Sequence, residues 1–598
     1  MKTKGRLRIV AIVCVLVACL SASARAKIIY VEGGATEAGN GSSWAGAYRY
    51  LRDALTMAEP GDEIRVGQGI YCPDRAVIPN PSESPPPRTA GSRRPGSNSP
   101  AFPLKTGVTI KGGFAGLGAQ DPNERDVQRF TTVLSGDLRG NDEDKTGLWS
   151  PLLAGFVLTD NSPYVVISTK TDATAVLNGF TIIGATTAGL LNDQGSPTIT
   201  NCTFLRNSTD TDGGALRSTG GHPNLSHCTF RENSSLLGGG AIYADAGALT
   251  LSDCHFAANA ASVEGGAINH RCALDMTDCV FEQNVAQAGG AVSQRSSTLN
   301  MTGCRFEGNL ADRGGALYLT DLVRTRTTRC VFKKNWAQST GGAAYVVGGF
   351  STTPGPVTFE GCTFTGNSAA SAGVLFVGNL FILSPRGLIL SNCLLTGNRA
   401  QGTGGVLYAS SSRLTITNCT FADNWASAGA TLSWTGYRWV PSDNPALMMT
   451  NCILWDEEGL IFLPSTQSTA KPSVTPDQLI TVAYSDVRDT WSGQGNIDAD
   501  PLFAGPGSWV DASDPKISVK PDHPNATWME GDYHLKSQAG RWDPVKEDWV
   551  QDDVTSPCID TGHPGSLFAD EPEPKGGRIN MGVYGGTAEA SKSFLRQP

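Results

Sequence analysis

Helix-forming stretches are scarce in this sequence, and charge is sparse: only 17% of its 598 residues are Asp, Glu, Lys or Arg. That composition is unusual for a helical enzyme. No apolar run beyond the first 26 residues approaches the ~20 residues of a membrane-spanning helix. Cys-x-x-Cys spacings are missing, which removes the usual sequence sign of a metal site. Neither a Ser/His/Asp signature nor a phosphate-binding glycine loop occurs. What the chain has instead is 70 glycines and short recurring runs of Val, Ile, Thr and Phe, a pattern of many short strands and tight turns.

Residues 1–26 are read as an export signal. Lys2, Lys4, Arg6 and Arg8 form a basic start, Ile9 to Leu20 an apolar core, and Ala24-Arg25-Ala26 a cleavage site. Leu16-Val17-Ala18-Cys19 offers a competing lipoprotein processing box with Cys19 lipid-modified. Cleavage after Ala26 is favoured, because Ile28-Ile29-Tyr30-Val31 already has the pattern of a first strand. The remainder holds 42 basic and 56 acidic residues, a net charge of −14 with histidine neutral. That balance argues against nucleic acid or an anionic membrane as partner.

Self-similarity dominates the middle of the chain. NCTFLRN, HCTFREN, DCHFAAN, DCVFEQN, GCRFEGN, RCVFKKN, GCTFTGN, NCLLTGN and NCTFADN succeed one another from residue 201 to 424, their cysteines 25 to 32 residues apart. Gly-Gly-Ala followed by an apolar residue alternates with them at 213–216, 239–242, 265–268, 289–292, 314–317 and 341–344, and Gly-Gly-Val-Leu stands at 404–407. Each unit has room for three short strands and none for a helix. The predicted fold is therefore all-β, a right-handed single-stranded parallel β-helix whose coils stack about 4.8 Å apart. Cys and Phe, two residues apart, both point inward, and the asparagine three residues after Phe stacks on its copies as a ladder.

Alternating GGA[ILV] and FxxN resembles the repeat of chlamydial polymorphic outer-membrane proteins over about residues 196–425, which implies a β-helical module of an exported surface protein. Those proteins end in a membrane β-barrel, whereas the ~170 residues after the last repeat lack serial amphipathic strands. Residues 27–72 resemble the start of secreted proteins with a pectin-lyase-like β-helix, with Trp44, Tyr48, Leu51 and Leu55 on one face of a capping helix. A Pro/Ser/Arg-rich loop is predicted at 73–103 and the β-helix at 104–460. Final coils and a C-terminal cap fill 461–598, where GNIDADPLF, SPCIDTGHPGS and GGRINMGVYGGT resemble the ends of exported bacterial β-helix proteins.

Candidate chemistry is thin. Ten of the fifteen cysteines, counting Cys452, fall in the repeat column. They are read as an interior stack of small hydrophobes, since in-register side chains point the same way and lack a disulfide's dihedral. The column before cysteine reads Asn201, His227, Asp253, Asp278, Gly303, Arg329, Gly361, Asn392, Asn418 and Asn451. Asp253, Asp278 and Arg329 are the catalytic candidates there. The resemblance to the pectin-lyase-like fold brings in its polysaccharide lyases, which imply Ca²⁺ on surface carboxylates and a basic residue to take a ring proton. Asn, Asp and Gly are equally the residues that tolerate left-handed turns, and six of the ten positions are Asn or Gly, so the turn reading is preferred.

Asp137, Asp142 and Asp144 form an acidic loop that could take Ca²⁺, with a solvated loop as the plainer alternative. Trp434, Tyr437 and Trp439 are candidate sugar platforms, against simple packing under the cap. The glycosidase elements Asn-Thr-Asp, Asp-Asp, Gly-His-Gly and Arg-Ile-Lys are absent. His270 and Cys272 align with Ala244 and Ala246 one coil earlier, where the scaffold is expected to demand nothing. Repeat regularity favours a non-catalytic surface or secreted protein whose partner is polysaccharide or other cell-surface material. The alternative is a Ca²⁺-using polysaccharide lyase.

Overall fold

The computed structural model describes residues 26–35, 39–73, 100–140, 160–321, 324–348, 355–378, 387–410, 412–435, 447–457, 460–462 and 480–594. One coil shows how the sequence makes its turns. Ala248–Ser252 is a strand of the first sheet. Asp253 then turns the chain with φ 50°, and Cys254 leads into the second-sheet strand His255–Ala257. Ala258, at φ 53°, turns it again, and Asn259 enters the short strand Ala260–Ala261. Gly265, at φ 64°, opens the third-sheet strand Ile268–His270.

Stacked coils give parallel sheets of fifteen, fourteen and thirteen strands. All-β architecture and parallel stacking are as the repeat predicted. The one α-helix among the described residues, α1 (Leu51–Met57), is shorter than the Trp44–Leu55 face implied, and buries Leu51, Ala54 and Leu55. Short fourth strands after the asparagine, in groups of three and five, were not expected. They form because the residues between Asn and Gly-Gly stay extended long enough to pair with the next rung.

Stacking dictates the core. Phe204, Phe230, Phe256, Phe281, Phe306, Phe332 and Phe364 lie in register. Their rings stack at 4.7–4.9 Å and 3–7° between planes. Removing one such buried ring costs on the order of 3–5 kcal/mol. The second glycine of each pair is there for contact: a Cβ on Gly266 would stand 2.1 Å from the Gly290 carbonyl oxygen. Alanine is therefore excluded at that position by its neighbour.

The asparagine ladder runs from Asn207 through Asn233, Asn259, Asn284, Asn309, Asn335, Asn367 and Asn398 to Asn424. Each Nδ2 donates to the next Oδ1 at 2.9–3.1 Å. Each backbone N–H donates to that same oxygen. Nδ2 also donates to a carbonyl on the preceding rung, as Asn284 does to Phe256 O at 2.9 Å. All of these asparagines are buried and fully bonded, the condition under which polar groups in a core stabilise rather than cost.

At its last rung the ladder ends on Asp456, fully buried. Its Oδ1 accepts the backbone and side-chain N–H of Asn424 at 2.9 and 3.0 Å, and its Oδ2 accepts the Thr431 hydroxyl. After Asp486–Val487 the solenoid stops. Residues 503–550 form small antiparallel sheets that fold back along the second sheet. Trp528 lies against Gly397, where any Cβ would meet its ring at 1.9 Å. Tyr533 donates its hydroxyl to Asp423 Oδ2 at 2.5 Å, and Asn392 Nδ2 donates to Val583 O at 2.9 Å.

Burial pushes the Asp456 carboxyl up to about 7, against the lowering effect of its hydrogen bonds. The unfolded carboxyl ionises near its ordinary value, so between about pH 4 and 7 the folded chain binds the extra proton. The contribution of this carboxyl to stability is therefore full below that window and falls as pH rises through it, by on the order of 4 kcal/mol. Asp456→Asn completes the ladder with an amide and is expected to flatten that slope and raise stability near pH 8. Urea unfolding at a series of pH values measures both.

Candidate functional site

All ten residues of the column before cysteine take left-handed backbone, with φ of 49–65°. This geometry is what the preponderance of Asn, Asp and Gly serves, while Arg329 (φ 51°) and His227 (φ 53°) adopt it at a cost of roughly 1–2 kcal/mol. Asp253, Asp278 and Arg329 are exposed. Asp253 and Asp278 stand on adjacent rungs, and His227 Nε2 lies 3.8 Å from Asp253 Oδ2. Gly303 leaves the space that Asp278 Oδ1 occupies, 2.0 Å from where a Cβ would be. Arg329 is two rungs beyond Asp278, roughly 9–10 Å along the axis.

The other sequence candidates separate. Trp434 is corrected: it is 1% exposed, pairs with inward-facing Ala409 and presents no ring face to solvent. It fell on an inward position because strand alternation continues unbroken through Leu432–Thr435. Tyr437 and Trp439 lie outside the described residues, as do Asp142 and Asp144. Asp137 accepts the backbone N–H of Arg139 and Gly140 at 3.1 and 2.8 Å, so its carboxylate shapes a turn. Among the described residues no group of three or more His, Cys, Asp or Glu is placed to hold a metal ion.

His270 is corrected as well. It aligns with Ala244 as expected, but that position is interior and the ring is fully buried. Nδ1 bonds the Cys272 carbonyl at 3.0 Å, which makes Nδ1 the protonated nitrogen, and burial pushes the imidazole down to about 4.

The densest polar constellation lies elsewhere, beside the Gly-Gly corner. The column just before Gly-Gly carries Asp212, Gly238, Glu264, Ala288 and Arg313 on successive rungs. The outward column of the third sheet carries Arg217, Tyr243, Asn269, Ser293 and Tyr318. Tyr243, Asn269 and Ser293 are buried although they face outward, so the longer side chains around them close over a shallow groove of the backbone face.

Asp212 Oδ1 accepts the Gly238 N–H at 2.9 Å. Its carboxyl is pushed up by burial, against Arg217 and Arg271 and with help from Glu264. Glu264 pairs with Arg295 at 3.0 Å and accepts the Ser293 hydroxyl at 3.4 Å. Arg217 lies over the Tyr243 ring and Arg313 over that of Tyr318, centroids 5.6 Å away. Burial also raises the Tyr243 and Tyr318 phenols. Asn269 Oδ1 and Arg295 Nε are buried without a hydrogen-bond partner, which leaves an acceptor and a donor unmade beneath the covering side chains.

Beyond the groove Tyr318, Tyr345, Phe376 and Tyr408 stack at 4.8–5.5 Å and 4–12°. Their faces cover one another and only edges and hydroxyls turn outward. This ladder is not a platform for a sugar face, but it extends the groove with phenol hydroxyls. Sequence reasoning missed the groove because it followed the column before cysteine. The column before Gly-Gly, with its alternation of Asp, Glu and Arg, was the signal available.

The family described as right handed beta helix region matches residues 165–321 and 322–463. A model described as disaggregatase related matches residues 493–562. No curated protein matches the chain. Among solved structures, the crystal structure of pectate lyase Pel9A aligns over 94% of this chain and 96% of that one, at 11% identity and a TM-score of 0.29.

If the column before cysteine is a turn device first, Arg329→Gly relieves left-handed strain and leaves stability equal or higher by up to about 1 kcal/mol. Arg329→Val, β-branched, is expected to lose at least ~1 kcal/mol. Thermal unfolding of the two variants separates them.

Proposed function

The chain belongs to the right handed beta helix family, and from that premise we propose that it is an exported, non-catalytic scaffold binding polysaccharide along the groove beside its Gly-Gly corner. One observation carries the reading. Asn269 Oδ1 and Arg295 Nε are buried, unpaired and set among Ser293, Tyr243 and paired carboxylates. Such groups are costly to leave unmade, and a hydroxyl-rich ligand that displaces the half-exposed Arg295 side chain would complete them. Glu264 is already engaged by Arg295 and Ser293, which suits holding a ligand better than moving protons. Export rests on the basic and apolar pattern of residues 1–26, which lie almost wholly outside the described residues. The GGA[ILV] and FxxN repeats support placement at a cell surface or in the medium, with freely secreted chain preferred to a lipid anchor at Cys19. No helix among the described residues is long and apolar enough to cross a membrane.

A second reading, a polysaccharide-degrading enzyme of the pectate-lyase-like class using Ca²⁺, is favoured by one feature. Asp253 and Asp278 stand exposed on adjacent rungs, with Arg329 further along the same column. There the carboxylates would hold the ion and the arginine would take the ring proton.

Pectate, alginate and glycosaminoglycans, titrated calorimetrically while ultraviolet absorbance is followed, test both readings. The expected result is binding to at least one, weakened about tenfold or more in Asn269→Ala and Arg295→Ala, with no rise in absorbance. A rise that needs Ca²⁺ and disappears in Asp278→Ala would replace the scaffold with the lyase.

A further inference from the structure

Six large apolar side chains stand exposed along one strip of the solenoid: Leu236, Leu237, Val263, Val285, Leu310 and Trp336, at 38–47%. They occupy five successive rungs on the face between the asparagine corner and the Gly-Gly corner, where the short fourth strands lie. Val263 follows Leu237 on the next rung, and Val285, Leu310 and Trp336 pair in line. The strip therefore runs obliquely, from the Gly-Gly side at Leu237 to the asparagine side at Trp336. The repeat does not ask for apolar residues here. On the rungs before Val285 the position after asparagine holds Ser208, Ser234 and Ala260, and on the rungs after Trp336 it holds Ser368 and Arg399. A contiguous exposed apolar strip that the scaffold does not require marks an interaction surface.

Two features say what covers it. At the Trp336 end the strip stops against the folded-back C-terminal region. Glu530 pairs with Lys333, on the rung of Trp336, at 2.9 Å. Arg399 Nη1 donates to Pro521 O at 2.8 Å, and Trp528 lies beside Gly366 and Gly397. That region makes a shoulder at one end, while Leu236 and Leu237 at the other end are open to solvent. Ion pairs run along both long edges. Arg206 and Arg231 meet Glu232 at 2.7 Å on the second-sheet side, and Glu264 meets Arg295 at 3.0 Å on the Gly-Gly side. An apolar centre with a polar rim is the anatomy of a protein interface. Because each rim carries both signs, a chain with an excess of acidic residues meets no like-charged edge in a copy of itself.

We propose that this strip is the contact of a homodimer, in which two copies lie face to face with their strips antiparallel about a two-fold axis at Val285. Such a contact is isologous, the same patch serving both copies. Val285 is on the middle rung, so the axis sets it against its own copy, Leu310 against Val263, and Trp336 against Leu236 and Leu237. The shoulder decides the direction. With the strips parallel, the two C-terminal regions would collide at one end; antiparallel, each lies past the other copy's Leu236. Five rungs at about 4.8 Å and five extended residues at about 3.3 Å make the strip roughly 24 Å by 16 Å. One rung of rim at each end and one residue at each side bring it to about 750 Å², close to the ~800 Å² that each partner of a specific pair buries. The third sheet is on the next face of the coil and stays open in the pair, so the dimer stands independently of what the groove binds.

Sedimentation equilibrium of the purified chain over a concentration series provides the test. A reversible monomer–dimer equilibrium in the micromolar range is expected. Val285→Arg is expected to weaken it at least tenfold with the β circular dichroism retained. Val285→Ser places there the residue that the same position carries two rungs earlier, and is expected to weaken the dimer even should the arginine variant not fold. Under mild oxidation Val285→Cys is expected to give a covalent dimer. Leu237→Cys and Trp336→Cys are expected to cross-link when mixed and little when each is alone. Preferential cross-linking of Trp336→Cys with itself would overturn the antiparallel pair. A chain that stays monomeric throughout, a dimer unmoved by both the Arg and Ser variants, or a monomer that holds soluble glycans or phospholipid vesicles through Trp336 would each overturn the dimer.

Discussion

The rest of the molecule depends on one hydrogen-bond geometry: the asparagine side chain that accepts two bonds from the rung before it and donates to two further carbonyl groups. Asn284 shows the full set, with its Oδ1 taking the backbone and side-chain N–H of Asn259 and its Nδ2 bonding Asn309 Oδ1 and Phe256 O. That geometry holds only when consecutive coils keep register at the corner. Register in turn places every Phe on Phe and every Cys on Cys. A slip of one residue would turn the whole inward set to solvent, so the ladder and the apolar column specify the same alignment twice.

Regularity at that corner leaves the outside free. The Gly-Gly turn is fixed by contact, since Gly266 cannot carry a Cβ, but the residue before it is not. Asp212, Glu264 and Arg313 use that freedom, and the outward third-sheet residues beside them complete a groove on the stacked third-sheet backbone. The folded-back C-terminal region covers the second sheet over later rungs, where Trp528 and Tyr533 meet Gly397 and Asp423. It leaves the groove rungs untouched.

Much of this was legible in the sequence, because a solenoid writes its core as a period. Cys, Phe, Asn and Gly-Gly each recur because each repeats one contact, and the strand order follows from their sequence order. Features that break the period were not legible. Trp434 has the composition of a surface aromatic and lies inside, since strand alternation decides direction and chemistry does not. His270 occupies an alanine position and is buried there unexpectedly. Asp456 stands for asparagine at the ladder's last rung, and nothing local distinguishes it from an ordinary loop aspartate. The groove escaped because its residues belong to different repeats and converge only once the rungs are stacked. The return of residues 503–594 along the second sheet follows from contacts between segments more than a hundred residues apart, such as Tyr533 with Asp423.

Amide hydrogen exchange resolved to single residues tests the ladder most directly. The backbone N–H groups of Asn233, Asn259, Asn284, Asn309 and Asn335 donate to buried side-chain oxygens. If the ladder holds the rungs in register, they are among the last to exchange, and at a common rate, because they open only when the rungs separate. Exchange of these amides at the rate of exposed turn residues, while the neighbouring phenylalanine strands stay protected, would contradict it.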